Sequence, residues 1–147
     1  EFNNDRDNII FTENITLTIP HYANPVGNDY LFCANIFNQS QHIPPHIEDR
    51  KQNLYLGHGY IDIDTIQVEI PESFFIEVLP EDTILETKFG KYEVSFTKTA
   101  ENKLIYSRKL RINKGEYPPV EYENYRDFLR SIARLDKTKI LLKQNVQ

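Results

Sequence analysis

Along most of this chain, hydrophobic and polar residues alternate with the period of two that a half-buried β-strand requires. The opening EFNNDRDN is polar and is expected to fray. Ile15, Leu17 and Ile19 then alternate with Thr16 and Thr18, and Pro20 ends that strand by removing a ladder donor. NDYLFCANIFNQ is apolar on both parities, with Tyr30, Phe32, Ala34 and Ile36 one way and Leu31, Cys33 and Phe37 the other. That pattern predicts a central strand covered on both faces. SQHIPPHIEDRKQN has no period, and Pro44-Pro45 makes it a loop. In GYIDIDTIQVEIP, Ile61 and Ile63 are in phase while Ile66, Val68 and Ile70 take the opposite phase, which predicts a bulge near Asp64-Thr65.

SFFIEVLP and DTILETKF are short strand candidates bounded by Pro71, Pro80 and Gly90. GKYEVSFTK places Tyr92, Val94 and Phe96 inward and Glu93, Ser95 and Thr97 outward; NKLIYSRKLRIN follows a short polar turn, so the two predict a hairpin. The period changes only near the end. Tyr122, Tyr125, Phe128 or Leu129, Ile132 and Leu135 recur at three and four, the stripe of an amphipathic helix. Pro118 and Pro119 suit its first turn, where a missing N–H is no loss. Glu121 and Glu123 lie at its start and Arg134, Lys137 and Lys139 at its far end, both complementing the helix dipole. TKILL returns to an extended pattern and predicts a last strand at a sheet edge.

Composition changes this picture little. A chain of 147 residues with 39% hydrophobic and 27% charged residues has the size and make-up of one globular domain. The net charge of −5 argues against a nucleic-acid binder, which would show a basic footprint. No apolar run approaches the ~20 residues needed to cross a bilayer. The chain opens on Glu1 rather than Met, as expected of a mature product or an excised fragment. A single cysteine makes no intrachain disulfide, and the absence of Trp leaves nine Tyr as the stacking residues for any sugar ligand.

The chemistry the residues offer is sparse. His42 and His46 in HIPPH would share a helix face, but Pro44-Pro45 forbids the helix, and no thiolate or carboxylate cluster supports tetrahedral zinc. Asp62 and Asp64 share a strand face without the glycine-bearing loop and distal Glu of a calcium site, and read as the solvated side of a strand. Cys33, flanked by Phe32 and Ala34 in a strand, reads as a packing residue rather than a nucleophile. Arg108 shares parity with Leu104, Tyr106, Leu110 and Ile112, so it points inward and needs a carboxylate or several carbonyls as partners. A structural salt bridge to a glutamate near the helix start is the expected partner, and a ligand-facing arginine the alternative. Arg126, Arg130 and Arg134 form a basic row on the helix, diluted by Glu123 and Asp127, and stand as a candidate docking face for an acidic neighbour.

Between Tyr60 and Leu142, Pro71 and Pro80 lie around IPESFFIEVLP, Phe89-Gly90 precede Tyr92, and Arg108-Lys109-Leu110 lead to Gly115; Tyr122, Phe128, Asp136 and KILL (139–142) follow. In this order the motifs resemble the C-terminal domain of unknown function that follows a transglutaminase-like core in large exported proteins of Gram-negative bacteria. The resemblance runs from about residue 50 to 142. It implies a parent chain with an upstream β-rich domain, a papain-like transglutaminase-type core and this segment last, in a periplasmic or cell-surface location. It also implies that the Cys-His-Asp chemistry belongs to the upstream core, since Cys33 does not sit in that core's motif.

The expectation is therefore one mainly β domain over 1–147, an immunoglobulin-like β-sandwich of about 7–9 strands. One C-terminal α-helix, over about 119–136, packs on it, and a last strand follows over about 138–143. The chain is expected to be a fragment of a larger transglutaminase-like protein and to act as a non-catalytic accessory domain that packs on or positions the upstream core. A module binding an envelope glycan or peptide, through Tyr side chains and the HIPPH loop, is the alternative. No catalytic, cofactor-binding or metal residue is expected, and neither a nucleic-acid partner nor a transmembrane segment.

Overall fold

The computed structural model describes residues 2–5, 10–13, 19–100 and 102–145. Of the polar opening, residues 2–5 form a strand instead of fraying and the rest lies outside the described residues: β1 (Phe2–Asp5) and β2 (Ile10–Glu13) pair as an antiparallel ribbon, because a backbone ladder does not depend on side-chain polarity. Of the strand expected over Ile15 to Ile19, residues 14–18 lie outside the described residues, and Ile19 stands outside any strand.

Two four-stranded antiparallel sheets follow. One comprises β3 (Asn24–Val26), β4 (Asp29–Cys33), β7 (Phe74–Val78) and β12 (Lys139–Gln144), in the order β3-β4-β12-β7. The other comprises β6 (Tyr60–Glu69), β8 (Thr83–Thr87), β9 (Gly90–Ala100) and β10 (Lys103–Ile112), in the order β6-β10-β9-β8. A small ribbon pairs β5 (Leu54–Leu56) with β11 (Gly115–Tyr117). One apolar cluster joins Phe32, Ile140 and Leu142 from the first sheet to Tyr92, Phe96, Leu104 and Tyr106 from the second, so the molecule is a β-sandwich. At the start of the β9–β10 pairing the strands come so close that a methyl on Gly90 would stand 2.0 Å from the Arg111 carbonyl oxygen.

The β9–β10 hairpin has the expected parity, with Tyr92, Val94 and Phe96 buried and Thr97 exposed. Three strands differ from expectation. Pairing on β4 stops at Cys33 because Asn35 closes a turn: its Oδ1 accepts from the Asn38 N–H at 3.0 Å and its Nδ2 donates to the Asn38 carbonyl at 3.2 Å. β12 is not an edge strand; after the helix it inserts between β4 and β7, and Ile140 and Leu142 are buried there. β6 carries no bulge, since its register against β10 is continuous from Tyr60↔Ile112 to Glu69↔Lys103. From Asp62 onward its even-numbered residues are the less exposed ones, so Asp62 and Asp64 lie on the core side while Ile61 and Ile63 are 56% and 68% exposed. The change of hydrophobic phase records a switch from polar to apolar inward residues on one unbroken strand.

After a 3₁₀ turn at Pro119–Glu121, α1 runs over Tyr122–Leu135. The tighter first turn follows Pro118-Pro119, and Asp136 caps the far end. Tyr122, Phe128, Leu129, Ile132 and Ala133 are buried, and Phe89 meets the helix, its ring 5.3 Å from Tyr125 and 6.5 Å from Phe128. At roughly 1.5 to 3 kcal/mol for each large side chain buried, this face binds the helix firmly to the sandwich.

Candidate functional site

Arg108 on β10 points into the core between Tyr106 and Leu110 and is only 2% exposed. A guanidinium at that depth must have its charge matched. Its Nε donates to Asp136 Oδ1 at 2.8 Å and its Nη1 donates to Asp64 Oδ2 at 2.9 Å. The partners are therefore the aspartate ending the helix and an inward aspartate of β6, not a glutamate at the helix start. Burial alone would lower the Arg108 pKa, but the bonds to Asp136 and Asp64 outweigh it and hold the guanidinium above its ordinary value.

Asp136 is 1% exposed and gathers the surrounding segments. Its Oδ1 also accepts from the Tyr92 hydroxyl at 2.8 Å, its Oδ2 accepts from the Ser40 N–H at 2.8 Å, and its backbone carbonyl faces the Cys33 thiol at 3.2 Å. Asn38 Nδ2 donates to Asp64 Oδ2 at 3.2 Å. Strands β4, β6, β9 and β10, the helix end and the loop after β4 thus meet at one carboxylate–guanidinium pair. Burial pushes the Cys33 thiol up, with Asp136 adding to the effect, so the cysteine is held as a protonated packing residue. Burial likewise raises Tyr92, and it raises Tyr106 to about 12. Among the described residues the Tyr106 hydroxyl has no hydrogen-bond partner.

The second cluster lies at the helix start. Arg126 Nε donates to the Pro44 carbonyl at 2.8 Å, Tyr122 Oη donates to the Pro45 carbonyl at 2.8 Å, and His46 Nδ1 lies 2.8 Å from Glu123 Oε1. Arg126 also pairs with Glu123 at 2.6 Å, and the Arg50 guanidinium stacks 4.3 Å over the Tyr122 ring. An open cleft of about 550 Å³ remains between this loop and the helix, lined by His46, Arg50, Val120 and Tyr122 among others. His42 does not join His46 in a ligand set; among the described residues no three of His, Cys, Asp and Glu stand close enough to hold a metal.

The three helix arginines are not one surface. Arg126 is tied into the loop contact, Arg130 is exposed and paired with Asp127 at 2.7 Å, and Arg134 is exposed. From sequence Asp64 reads as a solvated strand residue and Asp136 only as part of a family motif, so neither is foreseen as the partner of Arg108. The phase change in β6 marks Asp64 as inward, and the cation on the apolar parity of β10 calls for a partner without showing which one. Chemically one guanidinium serves two carboxylates, Asp136 buried and Asp64 part-exposed, and the cluster's strength lies in joining elements distant in sequence.

A family model matches residues 28–142, described as "Domain of Unknown Function with solved-structure structure (DUF3858)". The chain belongs to the DUF3858 family. The matched span contains Arg108, both of its aspartates, Tyr92 and the whole helix, so the buried cluster lies inside the DUF3858 region. No curated protein matches the sequence. Among solved structures, similarity extends to a crystal structure of a "putative protease" from Parabacteroides distasonis ATCC 8503, with a TM-score of 0.58 and 18% sequence identity. The match covers 76% of the DUF3858 chain and 23% of that protein, so this chain spans less than a quarter of its length. At that identity the likeness is one of fold.

Proposed function

We propose that this chain is a non-catalytic accessory domain of a longer exported protein, packing on and positioning a transglutaminase-like core. The observation that carries the reading is the lopsided coverage: 76% of this chain matches only 23% of the Parabacteroides distasonis protein. The same fold serves there as a minor part of a longer polypeptide. That protein is described as a "putative protease", which leaves room for a catalytic core elsewhere in such a chain. The cluster supports the same reading, because Arg108 is committed to Asp136 and Asp64 and Asp136 in turn to Tyr92 and the Ser40 N–H, an arrangement that joins segments of the fold. We read the sandwich as immunoglobulin-like from its two four-stranded antiparallel sheets. The periplasmic or surface setting rests on the sequence resemblance alone.

Deleting the domain from the longer polypeptide is the test. The truncated protein is expected to lose thermal stability and kcat/KM, while the isolated chain shows no transglutaminase or peptidase turnover of casein. Turnover by the isolated chain, or an unchanged truncated protein, overturns the reading.

A further inference from the structure

The sandwich has four sheet edges, and three are blunted. β3 has three residues including Pro25, β8 has five, and β7 has five with a register shift against β12. Short length, proline and irregular pairing are the usual devices that stop an edge from recruiting another strand. β6 is different. It runs ten residues without Pro, Gly, Lys or a bulge, and among the described residues its only ladder partner is β10. Each second residue of such an edge directs its N–H and C=O outward, ready for another strand. The solvent face of this edge carries Ile61 and Ile63, both more than half exposed, where polar residues would be ordinary.

Its one guard is an inward carboxylate. Asp64 pairs with Arg108 and accepts from Asn38, but Asp62 takes no ion pair among the described residues. In the registers that bring the aspartates together, that carboxylate opposes pairing with a second copy of this chain. Centred on Thr65, a two-fold pairing of β6 sets Ile61 against Glu69 and Ile63 against Gln67. Centred on Ile63 it sets Asp62 against Asp64, and centred on either aspartate it sets that carboxylate against its own copy. Directly opposed like charges destabilise a strand pair, and an apolar residue against a polar one contributes little. A cation opposite Asp62 meets no such penalty.

We propose that β6 is a docking edge for an extended segment of another polypeptide, added as a further strand. The segment it fits carries apolar residues on the face beside Ile61 and Ile63, and a lysine or arginine on the other face, opposite Asp62. Main-chain bonds supply the attachment and these alternate side chains the selectivity, as in other strand-addition interfaces. The inference goes beyond the accessory role and does not depend on it.

A synthetic peptide as long as β6 serves as the probe. It alternates valine with threonine and has one lysine on the threonine face, and it is titrated into isotope-labelled protein with the backbone amides followed by NMR. The expected result is shifts and slowed exchange at alternate β6 amides. Ile63→Lys is expected to weaken binding by about tenfold, and so is exchanging the peptide lysine for glutamate. Asp62→Lys is expected to restore the glutamate peptide. Should Ile63→Lys fail to fold, the peptide charge reversal still decides, since it leaves the protein untouched. Absence of β6 shifts at any soluble peptide concentration overturns the proposal. So does a concentration-dependent dimer, seen by sedimentation, that Ile63→Lys abolishes, because it makes the occupant a second copy.

Discussion

Asp136 occupies a position where a carboxylate is ordinarily unwelcome: it caps the C-terminal end of the helix, at the negative end of the helix dipole. It is tolerated because Arg108, Tyr92 and the Ser40 N–H all converge on it. Asp136→Ala is therefore expected to destabilise by about 3 to 5 kcal/mol in denaturant unfolding, because it strands a buried guanidinium. Replacing both partners, as Arg108→Met with Asp136→Leu, is expected to cost less than Asp136→Ala alone. A single-variant loss as small as that of an ordinary surface site would show that the pair has little structural role. The tyrosines beside the pair give the fold an alkaline limit. Burial raises Tyr92 and brings Tyr106 to about 12 from 10.0, so the folded state keeps these protons after the unfolded chain has released them. Their contribution is complete below pH 10 and declines as pH rises towards 12. A spectroscopic titration is expected to show exposed tyrosines ionising first and the buried ones only as near-ultraviolet circular dichroism is lost. Ionisation of all nine near pH 10 in a folded protein would contradict this.

At the scale of elements, the helix is mainly a cover whose far end carries the counter-ion of the core. Phe128 is 4% exposed, and Phe128→Ala is expected to destabilise by roughly 3 to 5 kcal/mol, measured by chemical denaturation. A loss under ~1 kcal/mol would make the helix peripheral. This element was legible in the sequence because its signal is local: a stripe at three and four, with prolines at the entry. The β9–β10 hairpin was legible for the same reason, through its strict alternation. β6 was misread because its inward face changes from aspartate to isoleucine halfway along, and period alone cannot tell a bulge from a buried ion pair. β12 was misread because insertion between β4 and β7 depends on where the chain returns after the helix. The partner of Arg108 was out of reach for the same reason, since Asp136 is distant in sequence and nothing local marks it as inward.

For the whole molecule, the hydrogen bonds of Arg108 and Asp136 tie both sheets and the helix end into one sandwich, and the role proposed for it is to pack on a catalytic core. The basic row read from sequence is narrower in the structure, since Arg126 holds the loop at Pro44 while Arg130 and Arg134 remain exposed. The proposed contact with a catalytic core is accordingly assigned to Arg130 and Arg134. The most direct test is calorimetric titration of this chain against the separately produced core of its parent protein, at low and high salt, alongside the Arg130→Glu/Arg134→Glu variant. The account predicts binding that weakens as salt rises and is lost in the double variant. A folded chain and a folded core that do not bind at either salt concentration would contradict it.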